Sequence, residues 1–404
     1  MTTSVRLGEP FAPEAVVRVR RALQLRHFKW DTQVGDACVL LPQPLLIVRS
    51  EWERLCVLAE HAARELYSLE RLVAARPDLQ RTVGVPRRLR PFLDPAASAD
   101  APRVLRFDFH PTREGWVVSE VNADVPGGFG EASALPALFT PWCDGAVPPC
   151  PLTAWGEAVA AAFAPGRAAV LYAPGHLEDQ QVALTLGSEL LRRGFAPRLV
   201  QSPADLRWEK GRASVVGTQE DGLAVVIRFY QAEWLAGLPE RSGWQELFRR
   251  PAATGVLHPP ECLVSESKRL GLIFDAPGVA ADTLRGLFPA CRHPQDAGAS
   301  ERENWVLKPA YGNTGDQVLL GSDLTAKAWR RLRWRARWNA AWVAQHRFET
   351  LALPSVWGPL RPCVGIYVVG GRAAGAYVRL SRGQVTDATA CEAPLFILPD
   401  HSTP

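Results

Sequence analysis

The chain of 404 residues is 47% hydrophobic and 22% charged, with a formal net charge of +4. This length and apolar content allow a large core and predict two or three domains or lobes. The positive charge is too small to indicate a nucleic-acid binder by itself. The absence of any apolar run of about 18 residues argues against a transmembrane helix.

The cysteines and the N-terminus together predict a localisation. None of the eight cysteines forms a C-x-x-C motif, and no His/Cys cluster has the spacing of a zinc site. In a chain of this length they are typical of reduced thiols. The N-terminus lacks the apolar segment of a signal peptide. We therefore expect a cytoplasmic protein that does not contact a membrane.

The first hundred residues are predicted to form a mainly helical segment. Residues 13–29 and 50–75 carry apolar side chains at helical spacing. Ser50, with Glu53 three residues later, has the signature of a capping box and predicts the start of the second helix. We interpret that helix as scaffold rather than as part of a site.

Two runs of alternating residues, 104–109 and 116–124, predict a β-hairpin. The link between them holds Pro111 and Gly115, which are turn residues. The apolar face of the hairpin is expected to carry Leu105, Phe107, Phe109, Val117, Val121 and Ala123, together with Ser119.

The polar face of this hairpin is expected to gather Arg106, Asp108, Glu120 and Asn122, because cross-strand neighbours lie about 5 Å apart. Two carboxylates and an amide oxygen are hard ligands of the kind that Mg²⁺ prefers when it also holds phosphates. The alternative is a solvated strand face with an Arg–Asp pair of little energetic value. The glycine-rich loop that follows, residues 125–130, favours a site, because glycine lets backbone N–H groups approach an anion.

Residues 168–200 show a strand, helix and strand pattern that predicts a β-α-β unit and a parallel sheet. The G-x-G-x-x-G fingerprint of a dinucleotide site is missing. A further strand, residues 223–229, is followed by Glu233. Since α/β sheets usually place ligands at the carboxyl ends of their strands, Arg228 and Glu233 are candidate substrate residues. Alternatively, Glu233 is only a residue at a helix N-terminus, where the helix dipole favours a negative charge.

A second motif centres on Lys308. An apolar strand, residues 305–307, leads into Lys308, and a turn with Gly312 and Gly315 separates it from a strand at 317–320. A lysine in a strand before a mobile glycine loop predicts a clamp for the phosphates of a nucleotide. The alternative is a simple surface hairpin.

Residues 327–338 are dense in Arg and Trp, a composition that also occurs in nucleic-acid binders. Their spacing is helical, so we favour a solvated helix whose Arg stems cover apolar surface. Residues 265–270 predict the start of another helix. Towards the C-terminus, residues 342–347 predict a strand, and residues 363–380 predict a hairpin that turns at two adjacent glycines.

These motifs together resemble one known family. The pattern formed by Arg106, Asp108, Glu120, Asn122 and Asp124 is similar to the metal-binding hairpin of the glutathionylspermidine synthase-type ATP-grasp ligases. The resemblance continues in the same order over most of the chain up to residue 398. The N-terminal hundred residues match only loosely, and no amidase half is present.

The resemblance implies an α/β fold with α+β lobes. This is an ATP-grasp fold with a Rossmann-like pre-ATP-grasp β-α-β region and the helical N-terminal segment. The implied divisions are the N-terminal segment (1–100), the hairpin and glycine loop of the ATP-grasp core (101–150), a substrate domain (151–260) and the nucleotide-binding lobes (261–404).

The resemblance also implies an ATP-dependent carboxylate–amine ligase that works through an acyl phosphate, with ATP and Mg²⁺ as cofactors and a small acid and an amine as substrates. Each candidate residue takes a role from it: Asp108, Glu120 and Asn122 would hold Mg²⁺; Arg106 and Arg379 would stabilise the transferring phosphoryl group; Lys268, Lys308, Gly312, Gly315, Gln345 and Phe348 would bind the nucleotide; and Asp124, Gly127, Gly128, Arg228 and Glu233 would face the substrates.

One departure from the family concerns the acid substrate. Members that use glutathione continue the hairpin with small hydroxyl and thiol residues, whereas this chain has Val125-Pro126-Gly127-Gly128. The sequence therefore leaves the acid, the amine and the oligomeric state open. Two alternatives to a ligase remain, namely a catalytically silent ATP-grasp protein that binds a ligand or partner, and an Arg/Trp-rich nucleic-acid binder, although we expect no nucleic acid.

Overall fold

The computed structural model describes residues 4–35, 37–96, 102–218, 222–250, 252–298, 300–312, 317–336 and 341–400. Its helices are α1 (Pro13–Arg26), α2 (Arg49–Ala75), α3 (Pro77–Val83), α4 (Phe129–Phe139), α5 (Pro151–Ala162), α6 (Leu177–Arg192), α7 (Ala232–Leu235), α8 (Cys262–Glu266), α9 (Asp282–Leu287) and α10 (Ala326–Ala336). Its strands are β1 (Val5–Leu7), β2 (Gln33–Val34), β3 (Ala37–Cys38), β4 (Leu45–Val48), β5 (Val104–Pro111), β6 (Trp116–Asn122), β7 (Arg167–Tyr172), β8 (Ala196–Val200), β9 (Leu206–Glu209), β10 (Arg212–Val215), β11 (Val225–Phe229), β12 (Gly255–Leu257), β13 (Cys291–Arg292), β14 (Trp305–Pro309), β15 (Leu319–Leu320), β16 (Trp342–His346), β17 (Arg361–Val369), β18 (Arg372–Ser381), β19 (Cys391–Ala393) and β20 (Leu395–Leu398).

The central sheet joins the two predicted hairpins. Its strand order is β19-β18-β17-β5-β6, and all neighbouring strands are antiparallel. β5 lies between β6 and β17, and all of its residues are buried. Helix α2 belongs to the same core as the apolar face of β5, since Leu55 and Leu66 cluster with Phe107 and Phe109. The helix therefore supports the strand that carries Arg106 and Asp108.

A β-bulge in β6 interrupts the alternation of the predicted hairpin. Phe107 pairs with Val121, whereas Phe109 pairs with Val118. Two residues of β6 therefore lie opposite Asp108. Such a bulge adds one residue to a strand and disrupts the two-residue period locally.

The bulge reverses the predicted orientation of the residues that precede it. Val118 is fully buried, whereas Val117 and Ser119 are half-buried. The hydroxyl of Ser119 lies 3.0 Å from Nε2 of His110. His110 is two residues after Asp108 on β5 and therefore lies on the same polar face. The prediction that Val117 and Ser119 share the apolar face was wrong, because strict alternation does not continue through a bulge.

A parallel sheet with the order β12-β11-β7-β8 confirms the predicted β-α-β unit. Helix α6 connects β7 to β8, and β11 lies on the other side of β7. The carboxyl ends of β7 and β11 are therefore adjacent. The segments that follow them, which begin at Ala173 and Tyr230, lie at the same edge of the sheet.

A four-stranded antiparallel sheet with the order β13-β16-β14-β15 carries the lysine motif. Lys308 lies on β14, opposite Val343 of β16. The Arg/Trp-rich stretch forms helix α10, as its spacing predicts, with Trp329 buried and Lys327 exposed. The predicted turn residue Gly315 lies outside the described residues.

The N-terminal segment pairs with the C-terminal strand in one sheet. β4 pairs with β1 and with β20, so residues at both ends of the chain share one sheet. Helix α2 begins at Arg49, and the prediction of Ser50 as its cap was wrong, because no side chain caps this helix. The N–H of Ser50 instead donates to Asp400, 2.8 Å away. The domain boundaries stay predictions.

Two further expectations concern membrane-spanning helices and the state of the cysteines. Within the described residues, no helix combines the length and the apolar character needed to cross a membrane. All eight cysteines are free thiols.

Candidate active site

Asp108 lies at the centre of the polar side of the hairpin and is 1% exposed. Its Oδ1 accepts a hydrogen bond from Nε of Arg106 at 2.8 Å, and its Oδ2 accepts from Nη2 of Arg106 at 3.0 Å and from Nη2 of Arg379 at 2.7 Å. The amide of Asn122 donates to Oδ2 at 3.3 Å. Burial raises the pKa of Asp108, but the two guanidinium groups outweigh it and lower that pKa to about 2.

A glycine in the neighbouring strand makes room for this ion pair. Gly365 of β17 lies directly opposite Asp108. A Cβ atom there would lie 2.9 Å from both Cδ of Arg106 and Oδ1 of Asp108. The missing side chain therefore lets the guanidinium and the carboxylate lie against the sheet.

Glu120 and two lysines lie beside this ion pair. Oε2 of Glu120 is 3.2 Å from Nζ of Lys268, which also donates to the carbonyl oxygen of Gly312 at 2.8 Å. Burial raises the pKa of Glu120, but the positive charges of Lys268, Lys308 and Arg379 together outweigh this effect and the pKa is lowered. Lys308 is 8% exposed, and burial lowers its pKa. Among the described residues, no carboxylate lies within ion-pair distance of Lys308.

Two cavities meet at this cluster. The smaller one, of about 80 Å³, is lined by the predicted nucleotide residues Lys308, Gln345 and Phe348. The larger one, of about 180 Å³, is lined by the predicted substrate residues Asp124, Gly127, Gly128 and Glu233, and also by Arg106 and Asn122. Glu120 and Arg379 line both cavities.

Four of the predicted site residues that the structure describes line neither cavity, namely Asp108, Lys268, Gly312 and Arg228. Lys268 lies in a turn after α8, which ends at Glu266. The helical segment predicted to begin at residues 265–270 is present only as a short 3-10 helix, Leu270–Ile273. Lys268 and Gly312 contact each other through the hydrogen bond described above. Arg228 is completely buried. The roles of all four stay predictions.

Arg228 supports the hairpin loop from the parallel sheet. Its guanidinium bonds both carboxylate oxygens of Asp124 and the carbonyl oxygens of His258 and Tyr230. Asp124 also accepts a hydrogen bond from the N–H of Ala232 at 2.7 Å. These contacts indicate that Arg228 holds Asp124 in position. Asp124 lines the larger cavity, whereas Arg228 does not.

The donor set predicted for Mg²⁺ has the right chemistry but an incomplete arrangement. Glu120 and Asn122 line the larger cavity, and both carry side-chain oxygen atoms of the kind that suits a hard cation. Both oxygens of Asp108 accept hydrogen bonds from arginines, so Asp108 could join them only if Arg106 and Arg379 moved away from its carboxylate. Across the parts of the chain that the structure describes, no group of three or more His, Cys, Asp or Glu residues could hold a metal ion.

The larger cavity is strongly acidic. Its lining includes only four basic side chains among the described residues, those of His27, Lys29, Arg106 and Arg379. The carboxylates that line it come from several elements, and they are Asp31, Glu120, Asp124, Glu131, Glu178, Asp179, Glu233, Glu266, Asp387 and Glu392.

One end of the acidic cavity has polar atoms without partners. Oε2 of Glu233, Oδ2 of Asp179 and Oε1 of Gln231 are buried and make no hydrogen bond with the described residues. Burial raises the pKa of Glu233 to about 8, with repulsion from Asp124 adding to the effect. Burial likewise raises the pKa of Asp179 to about 6. These atoms follow the adjacent carboxyl ends of β7 and β11.

Several lining residues were not found from the sequence. His110 continues the alternation of Arg106 and Asp108 by one more step, and it lines the smaller cavity. Asp179 follows the carboxyl end of β7, so the argument that selected Glu233 could have selected it as well. Lys29 follows α1, which ends at Arg26 rather than at residue 29. No local pattern marks Lys29 as part of a site.

Comparison with known proteins identifies the family. Residues 153–398, more than half of the chain, match the sequence model described as glutathionylspermidine synthase preATP-grasp. The chain belongs to this family. Family membership supports a ligase of the synthetase type in general terms. A search of curated proteins gave no match.

The fold comparison agrees with the family. A glutathione synthetase-like effector from Globodera pallida, solved in the apo form, superposes with a TM-score of 0.66 at 14% identity, covering 96% of this chain and 98% of the effector. A putative gamma-glutamylcysteine synthetase from Methylobacillus flagellatus KT gives a TM-score of 0.44 at 14% identity, covering 84% of this chain and 89% of that one. The predicted α/β fold of ATP-grasp type is confirmed.

Proposed function

We propose that this protein is an ATP-dependent ligase that joins the carboxylate of a small acid to an amine through an acyl phosphate. The observation that carries the proposal is the meeting of two cavities at Glu120 and Arg379. One cavity presents a lysine that has no carboxylate partner among the described residues, and the other presents carboxylates. A phosphoryl group held between them could pass from a nucleotide on one side to an acid on the other.

The smaller cavity is proposed to bind ATP. Lys308 lies in a buried strand, and its charge is available to phosphate oxygens. Gln345 offers hydrogen bonds, and the rings of Phe348 and His110 lie 5.3 Å apart at the cavity wall. This combination suits the polar edge and the flat face of a nucleotide base.

The junction of the cavities is proposed to carry out phosphoryl transfer. The substrate carboxylate attacks the γ-phosphorus of ATP, ADP leaves, and an acyl phosphate forms. Arg379 and Arg106 would stabilise the charge on the transferring group, since this transfer depends mainly on alignment and charge neutralisation. Glu120 and Asn122 would hold Mg²⁺, which neutralises phosphate charge when it is bound.

The second step is proposed to take place in the acidic cavity. The amine attacks the acyl carbon, the C–O bond to phosphate breaks, and the amine nitrogen loses a proton. Glu233 can accept this proton in its ionised form, which becomes populated as the pH approaches 8, and its raised pKa of about 8 makes that form a stronger base than an ordinary carboxylate. The partnerless oxygens of Glu233, Asp179 and Gln231 suit the N–H groups of an ammonium ion.

The test is a screen for ADP release with Mg²⁺ and ATP over pairs of acids and amines. The acids would be amino acids and short peptides, and the amines would include monoamines and polyamines. The proposal predicts that at least one pair gives ADP release that requires both partners. ADP release that never depends on an amine, or no release with any pair, would contradict it. Helix α10 lies outside both cavities, so oligonucleotide should not affect the result.

A further inference from the structure

Lys29 places a buried ammonium group inside the acidic cavity. It lies in the stretch that follows α1, outside the region that matches the family, and it is 7% exposed. Its Nζ lies 2.7 Å from Glu131, 2.9 Å from Glu392 and 3.1 Å from Asp31. An ammonium group has three donors, and here it faces three carboxylates. All of these residues line the larger cavity.

The position of Lys29 is fixed by contacts on several sides. Glu131 lies in the first turn of α4, directly after the glycine loop, and Glu392 lies on β19 of the central sheet. Glu392 also accepts a hydrogen bond from the hydroxyl of Tyr377 at 2.8 Å. The neighbouring N–H of Trp30 donates to the side chain of Gln181 at 2.5 Å. Lys29 is therefore part of the wall of the cavity rather than a mobile surface lysine.

The acidic cavity thus has two regions that suit an ammonium group. One is filled by Lys29. The other holds the partnerless oxygens of Glu233, Asp179 and Gln231, and no described lysine or arginine forms an ion pair with Glu233 or Asp179.

We propose that Lys29 is a built-in cation that fills one of the two ammonium positions and so determines which amines the protein accepts. A monoamine can place its charge beside Glu233 and Asp179. The second charge of a diamine or polyamine would meet Lys29 in the same cavity, and a like charge is a common means of rejecting a wrong ligand. The choice of amine rests on the proposed function, whereas the filled ammonium position does not.

The filled position can be tested without turnover. Lys29→Ala removes the three distal methylenes and the ammonium group, and n-propylammonium replaces these atoms. We expect the substitution to lower the melting temperature and n-propylammonium chloride to restore much of the loss, because a ligand that binds the folded state stabilises it. The proposal would be overturned if n-propylammonium chloride changed the melting temperature equally in Lys29→Ala, in the wild type and in the exposed control Lys327→Ala. Propan-1-ol and sodium chloride at matched concentration should give no rescue.

The effect on amine choice is tested by binding of n-butylamine and 1,4-diaminobutane, measured by calorimetry. The wild type should bind the diamine no better than the monoamine. Lys29→Met keeps most of the side-chain volume and removes the charge. It can therefore be used even if Lys29→Ala fails to fold. In it, the diamine-to-monoamine affinity ratio should rise about tenfold, or about 1.4 kcal/mol. An unchanged ratio, or no binding of either amine to either protein, would overturn the proposal. Failure of the ADP-release screen would instead overturn the ligase function and leave these ratios unaffected.

Discussion

Arg379 reaches across an entire strand to Asp108. The two residues lie on β18 and β5, which are separated by β17, yet Nη2 of Arg379 is 2.7 Å from Oδ2 of Asp108. On β17, Gly365 lies opposite Asp108, and Cys363 lies opposite Arg379. The proposed phosphoryl site is therefore assembled from two segments of the chain that are more than two hundred residues apart.

Gly365→Ala is expected to disturb this arrangement. Its Cβ would lie 2.9 Å from both Arg106 and Asp108, so the ion pair must shift. We expect ligase turnover to fall about tenfold or more, since small misplacements of catalytic groups are costly. Gly286→Ala is the matched control, because its Cβ would meet nothing within 4 Å and its site in α9 is exposed. Similar turnover in the two variants would show that the geometry around Asp108 does not matter.

Glu120→Gln is the cleanest test of the proposed junction between the cavities. The substitution keeps the size of a partly exposed side chain and removes its charge. We expect steady-state ADP release to fall about a hundredfold, as expected when charge neutralisation of the transition state is lost. The exposed Glu114→Gln in the hairpin turn should retain full activity. Thermal melting of Glu114→Gln should stay close to that of the wild type. Glu120→Gln should melt at a lower temperature, because it removes the carboxylate that pairs with the buried Lys268.

Asp108→Asn should behave differently from Glu120→Gln in stability. It leaves Arg106 and Arg379 buried without their carboxylate, and breaking a buried pair in this way costs about 3–5 kcal/mol. Chemical denaturation should therefore show a large loss of the free energy of unfolding. A variant as stable as the wild type would mean that Asp108 is not the main partner of the two arginines.

Lys308→Met is expected to weaken ATP binding strongly in calorimetric titrations. Lys308 lines the smaller cavity, and its charge has no carboxylate partner among the described residues. Lys327→Met in the exposed part of α10 removes the same charge far from that cavity. An equal loss of affinity in both variants would show that overall positive charge, rather than a defined site, governs binding.

Glu233 predicts how stability depends on pH. Its folded-state pKa is raised to about 8, above the usual value, so the folded protein holds this proton more tightly than the unfolded chain. Its contribution favours folding below about pH 4 and is lost as the pH rises towards 8. Glu233→Gln should therefore raise the free energy of unfolding above pH 8 by about 1–2 kcal/mol. If Glu233→Gln changes the free energy of unfolding by the same amount at pH 5 and at pH 9, the pKa of Glu233 is not raised.

Local patterns predicted most of the strands and part of the site. Alternation along β5 placed Arg106 and Asp108 on one side, because a strand has a period of two residues. The same rule failed at Ser119, where a bulge breaks the period. Lys29 was not predictable, because its contact with Glu392 joins residues 363 positions apart and has no local signature.

The most direct test of the proposed ligase follows an oxygen atom from the acid substrate. Amino acids and short peptides labelled with ¹⁸O in the carboxylate would be incubated with ATP, Mg²⁺ and the amine panel, and the released phosphate would be analysed by mass spectrometry. An acyl phosphate predicts the transfer of one ¹⁸O atom to phosphate, dependent on the amine and lost in Glu120→Gln. ADP release with unlabelled phosphate would mean that water attacks ATP, and it would contradict the carboxylate–amine ligase.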